Sequence, residues 1–339
     1  MPGLIYSRQL RWLLLVVCFC FPVKCDSAAG NCEQAKIRHI AVIVFAAPFL
    51  KSYSGLRSGL QQLGYKLDKE LIFSVYSVER DPSKVAPLIK KCAAAHFDLV
   101  YTVTTQVTQA VKVCMQKNRI DIPVVFTAVA DPVSSNIVTN LRHPDANITG
   151  VSHVSRELLP QRLLLFKKAF PQIKRPAVFF DPEDGVAKNA LDQPCMQYLT
   201  HDLGIAVVAR PAGSLAAMQR SCKQLRRTDI DSIFMLPDAL SVACFDEFLQ
   251  LSRHLRIPLM VIDNILLKQG GVMGYSPDFY AVGVQAAALV DQIFKGVAPG
   301  DIAVQNPEKV NLVVSLREVR ALNLHISDDI LLQADEVLR

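Results

Sequence analysis

The chain has 339 residues, 51% of them hydrophobic and 20% charged, with a formal net charge of +6. That length holds two domains of ordinary size, and the apolar content supplies a large core. The charge is spread along the chain; its one cluster, Lys223, Arg226 and Arg227, reads as a solvated helix face, so no basic block points to nucleic acid.

The N-terminus reads as a targeting segment. Arg8 and Arg11 form a basic start, and Trp12 to Val23 is an apolar run too short to span a bilayer comfortably. Ser27-Ala28-Ala29 offers the small residues that a signal peptidase prefers, which predicts a signal peptide over 1–29 and a periplasmic mature chain that is not membrane-embedded. A lipid anchor at Cys25 is the alternative, although Lys24 stands where a small residue should precede a lipidated cysteine. Cys32, Cys92, Cys114, Cys195, Cys222 and Cys244 remain after cleavage. No pair is spaced as CxxC and no histidine is close enough for a zinc site, so disulfides and buried helix thiols are both open readings.

The elements then alternate. Residues 37–45 read as a buried strand and 52–63 as a helix with Ser52 at its N-cap. Strands follow over 71–77, 97–103 and 123–127, with helices over 82–95 and 105–117. The pattern restarts with helices over 157–169, 188–201, 214–225 and 241–254, and strands over 177–180, 205–209, 232–236 and 259–262. A strand over 272–275, a helix over 278–294, a strand over 310–314 and a short helix over 316–322 complete the chain. Such alternation predicts an α/β protein with two doubly wound parallel-sheet lobes facing each other across a cleft.

Enzyme signatures are lacking. Ala46-Ala47-Pro48 occupies the place where a dinucleotide fold needs glycines, and neither GxxxxGK[ST] nor GxSxG occurs. The seven histidines are scattered. The reading is a binding protein, not an enzyme, with no cofactor.

The stretch PVVFTAVADPV (123–133), followed by NITGVS (147–152), resembles the signature of ABC-transporter substrate-binding proteins of the tryptophan/tyrosine type. These are a branch of the type I periplasmic-binding fold. The resemblance runs from Ile37 to Leu324, with further matching pieces at 55–65, 98–110 and 275–283. It implies two lobes joined by a hinge of three crossings: 36–147 plus 277–300, and 148–276 plus 301–339. It also implies a monomer that captures a small-molecule ligand, an amino acid or related carboxylate, and delivers it to an ABC permease and its ATPase. A ligand-sensing module of a signalling system is the alternative. The chain departs from the pattern at Gln106, where a proline is usual, at Asp145-Ala146, which replaces a glycine pair, and at Ala46-Ala47, which replace an acidic residue and a histidine.

Ligands of open parallel sheets bind at the carboxyl ends of the strands. In the first half those ends carry Ala47, Phe49, Thr104, Thr105, Thr127, Ala128 and Asp131. Hydroxyls and a helix N-terminus there suit a carboxylate. In the second half they carry Asp181, Asp238 and Asp263, which suit an ammonium. Each has a plainer reading: Thr104 or Thr105 and Asp238 as helix caps, Asp131-Pro132 and Asp181-Pro182 as turns, Phe49 as core.

Overall fold

The computed structural model describes residues 37–144, 147–183 and 194–339. The signal segment, Cys25, Asp145-Ala146 and the first turn of the helix expected from Lys188 lie outside the described residues.

The first sheet has the order β2-β1-β3-β4-β5, all parallel, from β1 (Arg38–Val44), β2 (Leu71–Ser77), β3 (Leu99–Val103), β4 (Val124–Val129) and β5 (Ile148–Ser152). Its central strands are aliphatic runs because both faces are covered. Ile40, Val42 and Val44 pack with Leu56 and Leu60 of α1 (Leu50–Gln62). Ala41 and Ile43, on the other face, pack with Ile89 of α2 (Val85–Ala94) and with Val107 and Val111 of α3 (Thr105–Asn118).

Two expectations need correction here. The apolar run at 148–152, expected to open the second lobe, is the last strand of the first sheet: all five residues are buried and pair beside β4. Ser52 is not a cap but lies inside α1, where its buried hydroxyl meets Tyr101 Oη at 2.6 Å and Thr127 Oγ1 at 3.0 Å.

The second sheet has the order β12-β11-β10-β9-β8-β6-β7. It comprises β6 (Pro176–Phe180), β7 (Val208–Pro211), β8 (Ser232–Phe234), β9 (Leu259–Val261), β10 (Met273–Pro277), β11 (Val310–Ser315) and β12 (Glu336–Leu338). Only the β10–β11 pair is antiparallel. Its helices are α4 (Leu159–Ala169), α5 (Pro194–Asp202), α6 (Leu215–Gln224), α7 (Ala239–Ala243), α8 (Phe245–Leu255) and α9 (Asn264–Lys268). The single helix expected over 241–254 is two, broken at Cys244. After α10 (Phe279–Phe294), the chain ends with α11 (Leu316–Ala321), α12 (Asp328–Gln333) and β12, the last two not foreseen.

The chain passes between the sheets three times: after β5, after β10 and before β11. The second passage returns α10 to the first sheet, where it packs on α1 with backbone against backbone. A Cβ on Gly283 would sit 1.9 Å from Ser52 O, and one on Gly55 would sit 2.0 Å from Tyr280 O. The third passage runs beside β5, with Thr149 Oγ1 donating to Ile302 O at 2.8 Å and Gln305 N to Gly150 O at 2.9 Å.

This contact generates a stability test. Gly283→Ala forces backbone apart and should lower unfolding free energy by about 1–3 kcal/mol, despite alanine's better helix propensity. Gly213→Ala, with nothing within 4 Å of the new methyl, should stay within about 0.5 kcal/mol. Urea unfolding of the two variants beside the parent checks this.

Candidate functional site

β5 ends at the first passage and β10 at the second, so the carboxyl edges of both sheets meet where the chain crosses. In such sheets this edge is the ligand crevice. The backbone there is strained. Thr104 (φ 91°), Ala128 (φ 57°) and Val154 (φ 44°) follow or end the neighbouring strands β3, β4 and β5 in left-handed conformations that non-glycine residues rarely adopt. Each costs about 1–3 kcal/mol, and such residues cluster at functional sites.

Thr104 is at the N-cap position of α3, yet its hydroxyl makes no capping bond and is buried without a partner. The expected cap is therefore not formed. Thr105 Oγ1 accepts from Ala130 N at 3.1 Å, which ties α3 to the end of β4 and leaves the hydroxyl proton free to donate. Thr127 is turned to another use: its hydroxyl belongs to the buried cluster with Ser52 and Tyr101, 3.2 Å from the phenol, whose pKa burial pushes up to about 12. Ala128, next to it, makes the irregularity in the β4–β5 ladder. Asp131 follows its plainer reading, accepting from Val133 N and Ser134 N as a turn. It also holds Arg156 of the first passage at 3.5 Å.

Ala47 is exposed in a short 3₁₀ turn, and Phe49 beside it is half-buried. Phe49 packs edge-on against Phe45 and Phe279, with ring centroids 6.4 and 5.5 Å apart, and Phe279 stacks on His153 at 5.7 Å. A row of rings thus runs from the end of β1 to the end of β5. Sequence reasoning missed His153 and Phe279. The signals were there: His153 directly follows NITGVS, and Phe279 opens α10.

His153 is buried, with Nδ1 paired to Ser155 Oγ and Nε2 without a partner. Burial, helped by the positive charge of Arg162, pulls its pKa down to about 3. Arg162 itself is fully buried. It donates Nε to Tyr275 O at 2.7 Å, and its two terminal nitrogens to Ser155 O and Ile262 O at 3.0 Å each. Burial lowers its pKa to about 10 against the opposing pull of Asp263.

The second sheet's carboxylates divide. Asp238 is the cap of α7: one oxygen accepts from Ser241 N at 2.9 Å and the other from Asp181 N at 2.5 Å. Asp181 accepts from Glu183 N in a turn. Asp263 caps α9 through Oδ1 alone, which accepts from both Ile265 N and Leu266 N at 2.8 Å. Burial raises its pKa, opposed by those two bonds and by Arg162. Among the described residues no three metal-ligating side chains gather. An open groove of about 650 Å³ lies between α1, α10 and the 308–309 loop, but it includes none of the expected ligand residues, and its Lys51 and Asp278 already pair at 2.8 Å.

The His153 environment sets a pH dependence. The unfolded imidazole takes a proton near pH 6.5, whereas the folded one stays neutral down to about pH 3. The unfolded state therefore binds the extra proton first, and stability falls by about 1.4 kcal/mol per pH unit below 6.5. Between pH 6.5 and 5 the parent should lose about 2 kcal/mol more than His153→Asn, read from urea unfolding at each pH.

The comparisons agree with this architecture. The family model for "ABC transporter substrate binding protein" matches residues 38–338. A tyrosine-binding protein of Clostridioides difficile (strain R20291) is 22% identical over 278 residues, covering 81% of this chain and 77% of that one. A conserved domain protein from Vibrio cholerae has a TM-score of 0.75 at 25% identity, covering 89% of this chain and all (100%) of its own. The ABC domain from Streptococcus pneumonia in complex with L-Trp also has a TM-score of 0.75, at 23% identity, with the same 89% and 100% coverage. With two doubly wound α/β lobes of type I periplasmic-binding form and a family match over nearly all the described residues, this chain belongs to the ABC transporter substrate-binding protein family.

Proposed function

We propose that the solute this protein captures for its transporter is an amino acid with an aromatic or other flat apolar side chain. One observation carries the reading: a buried, unpartnered Thr104 hydroxyl at the N-terminus of α3, on an edge where three neighbouring strands all end in strained backbone. A ligand carboxylate placed there accepts from that hydroxyl, from Thr105 and from the first turn of α3. The ammonium goes to Asp263, whose Oδ2 takes no part in the α9 cap. The apolar part lies on Phe49, Phe279 and His153. Asp238 and Asp131 shape the walls through their caps and turns. Relatives described as binding tyrosine and L-Trp support the chemistry.

The mechanism is closure of two lobes, residues 37–152 with α10 and the second sheet with its helices, about the three passages. Contacts from both lobes favour the closed form, which the permease and its ATPase distinguish from the open one. The protein acts as a monomer outside the cytoplasm. Cleavage after Ala29 releases it to the periplasm, and a mature start at a lipidated Cys25 in N-terminal sequencing would instead tether it to the membrane. Small-angle scattering with and without L-tyrosine or L-tryptophan should show a smaller radius of gyration on binding.

Calorimetry with the same two amino acids tests the contacts. Asp263→Asn keeps the α9 cap but removes the charge, and should cost thirtyfold or more in affinity, about 2 kcal/mol. Thr104→Val should cost roughly tenfold. The exposed Asp229→Asn should change nothing. An Asp263→Asn affinity within about threefold of the parent overturns the ammonium role.

A further inference from the structure

Among the described residues, the carboxyl edge of the first sheet holds two buried side-chain atoms without a hydrogen-bond partner. One is the Thr104 hydroxyl after β3; the other is Nε2 of His153 after β5. Both side chains are more than nine-tenths buried, at 6% and 7% exposure. β4 runs between them, so they stand two strand spacings apart, about 10 Å. Near its end β4 places Ala128 in that interval, with a small, partly covered side chain. A ligand carboxylate at Thr104 leaves Nε2 still unpaired, since the His153 ring then serves only as an apolar surface.

Three contacts fix how the imidazole sits. His153 N donates to Val129 O at 2.7 Å, Nδ1 pairs with Ser155 Oγ at 2.5 Å, and one ring face stacks on Phe279 at 5.7 Å. The Nε2 edge is the polar end that remains. Burial pulls the pKa down to about 3, so the ring is neutral and carries one donor and one acceptor nitrogen. Whichever role Nδ1 takes toward Ser155, Nε2 takes the other. A phenolic hydroxyl both donates and accepts, so it fits Nε2 in either tautomer. A bare phenyl ring fits neither.

We propose that His153 is a specificity-determining residue, whose Nε2 pairs with a hydroxyl at the far end of the ligand's ring. The role rests on the amino-acid reading of the site given above and narrows it to a hydroxylated aromatic amino acid, L-tyrosine, lying across Ala128 from Thr104 to His153. Its carboxylate and its ring hydroxyl then meet the two unpartnered atoms, and the ring lies close to Phe49 and Phe279. L-phenylalanine fills the same space but leaves Nε2 buried and unpaired. A site that hydrogen-bonds a ligand hydroxyl rejects the analogue that lacks it for this reason.

Calorimetry on the purified protein, freed of ligand, tests this with L-tyrosine, L-phenylalanine and L-tryptophan. The parent should bind L-tyrosine at least about tenfold more tightly than L-phenylalanine, about 1.4 kcal/mol. His153→Leu should bring those two affinities to within about twofold of each other. His153→Gln, whose carboxamide again offers a donor and an acceptor, should keep a preference for L-tyrosine. The parent comparison needs no substitution, so it decides even where a variant fails to fold. Equal affinity of the parent for L-tyrosine and L-phenylalanine overturns the role of His153 and leaves the amino-acid site standing. A tenfold preference that survives in His153→Leu gives the hydroxyl to another residue and overturns it as well. If none of the three amino acids binds, the amino-acid reading itself falls, and the role of His153 falls with it.

Discussion

A single buried cation holds the crossing region together. Arg162 reaches no carboxylate within ion-pair distance among the described residues; its guanidinium is instead spread over three backbone carbonyls, with Asp263 close enough to counter the cost of burial. Those carbonyls belong to the first passage, to the end of β9 and to β10, which leads into the second passage. A planar fork with fixed donor directions can serve three diverging acceptors, which a point charge on a flexible stem cannot. The charge also acts at a distance. It helps keep His153 neutral and draws the Asp263 carboxyl toward its ionised form. One side chain therefore ties together the backbone between the lobes and adds its charge to the effect of burial on the groups around it.

The hydroxyls at the first lobe's edge are divided by burial. Ser52, Tyr101 and Thr127 satisfy one another inside the lobe and hold α1 against β3 and β4. Thr104, one strand over from Thr127, has no such partner. A buried polar atom without a bond costs about 1–3 kcal/mol, and three left-handed residues add strain at the same edge. A ligand that supplies the missing bond recovers part of that energy on binding.

Much of this was legible in the sequence because it rests on local periodicity. The alternating aliphatic runs placed most strands of both sheets, with β5 assigned to the wrong one and β12 unseen, and the 123–152 stretch marked the family. Features set by distant contacts were not legible. The residues at 148–152 read as the opening of a second unit because a buried strand looks the same in either sheet; only its pairing with β4 decides. Ser52 read as a cap because serine before an apolar run usually is one, and its partners lie 49 and 75 residues away. For the carboxylates, both readings were available from spacing. Asp238 and Asp263 each sit just before a helix, and what separates them is whether the second oxygen is engaged, which no pattern in the chain encodes. Arg162 was invisible for the same reason: an arginine on an amphipathic helix gives no sign that it faces inward.

The glycine contact between α1 and α10 has a consequence for the order of synthesis. The face of the first sheet that carries Ile40, Val42 and Val44 is closed, beside Leu56 of α1, by Val282, Ala286 and Val290, which lie late in a 339-residue chain. A ribosome that has completed all five strands of the first sheet has still not made the helix that covers it. The nascent lobe keeps an apolar flank open while the whole second sheet up to β10 is being added. Such a chain offers chaperones a long interval of recognition, because its first lobe stays open on one flank until most of the second has been made.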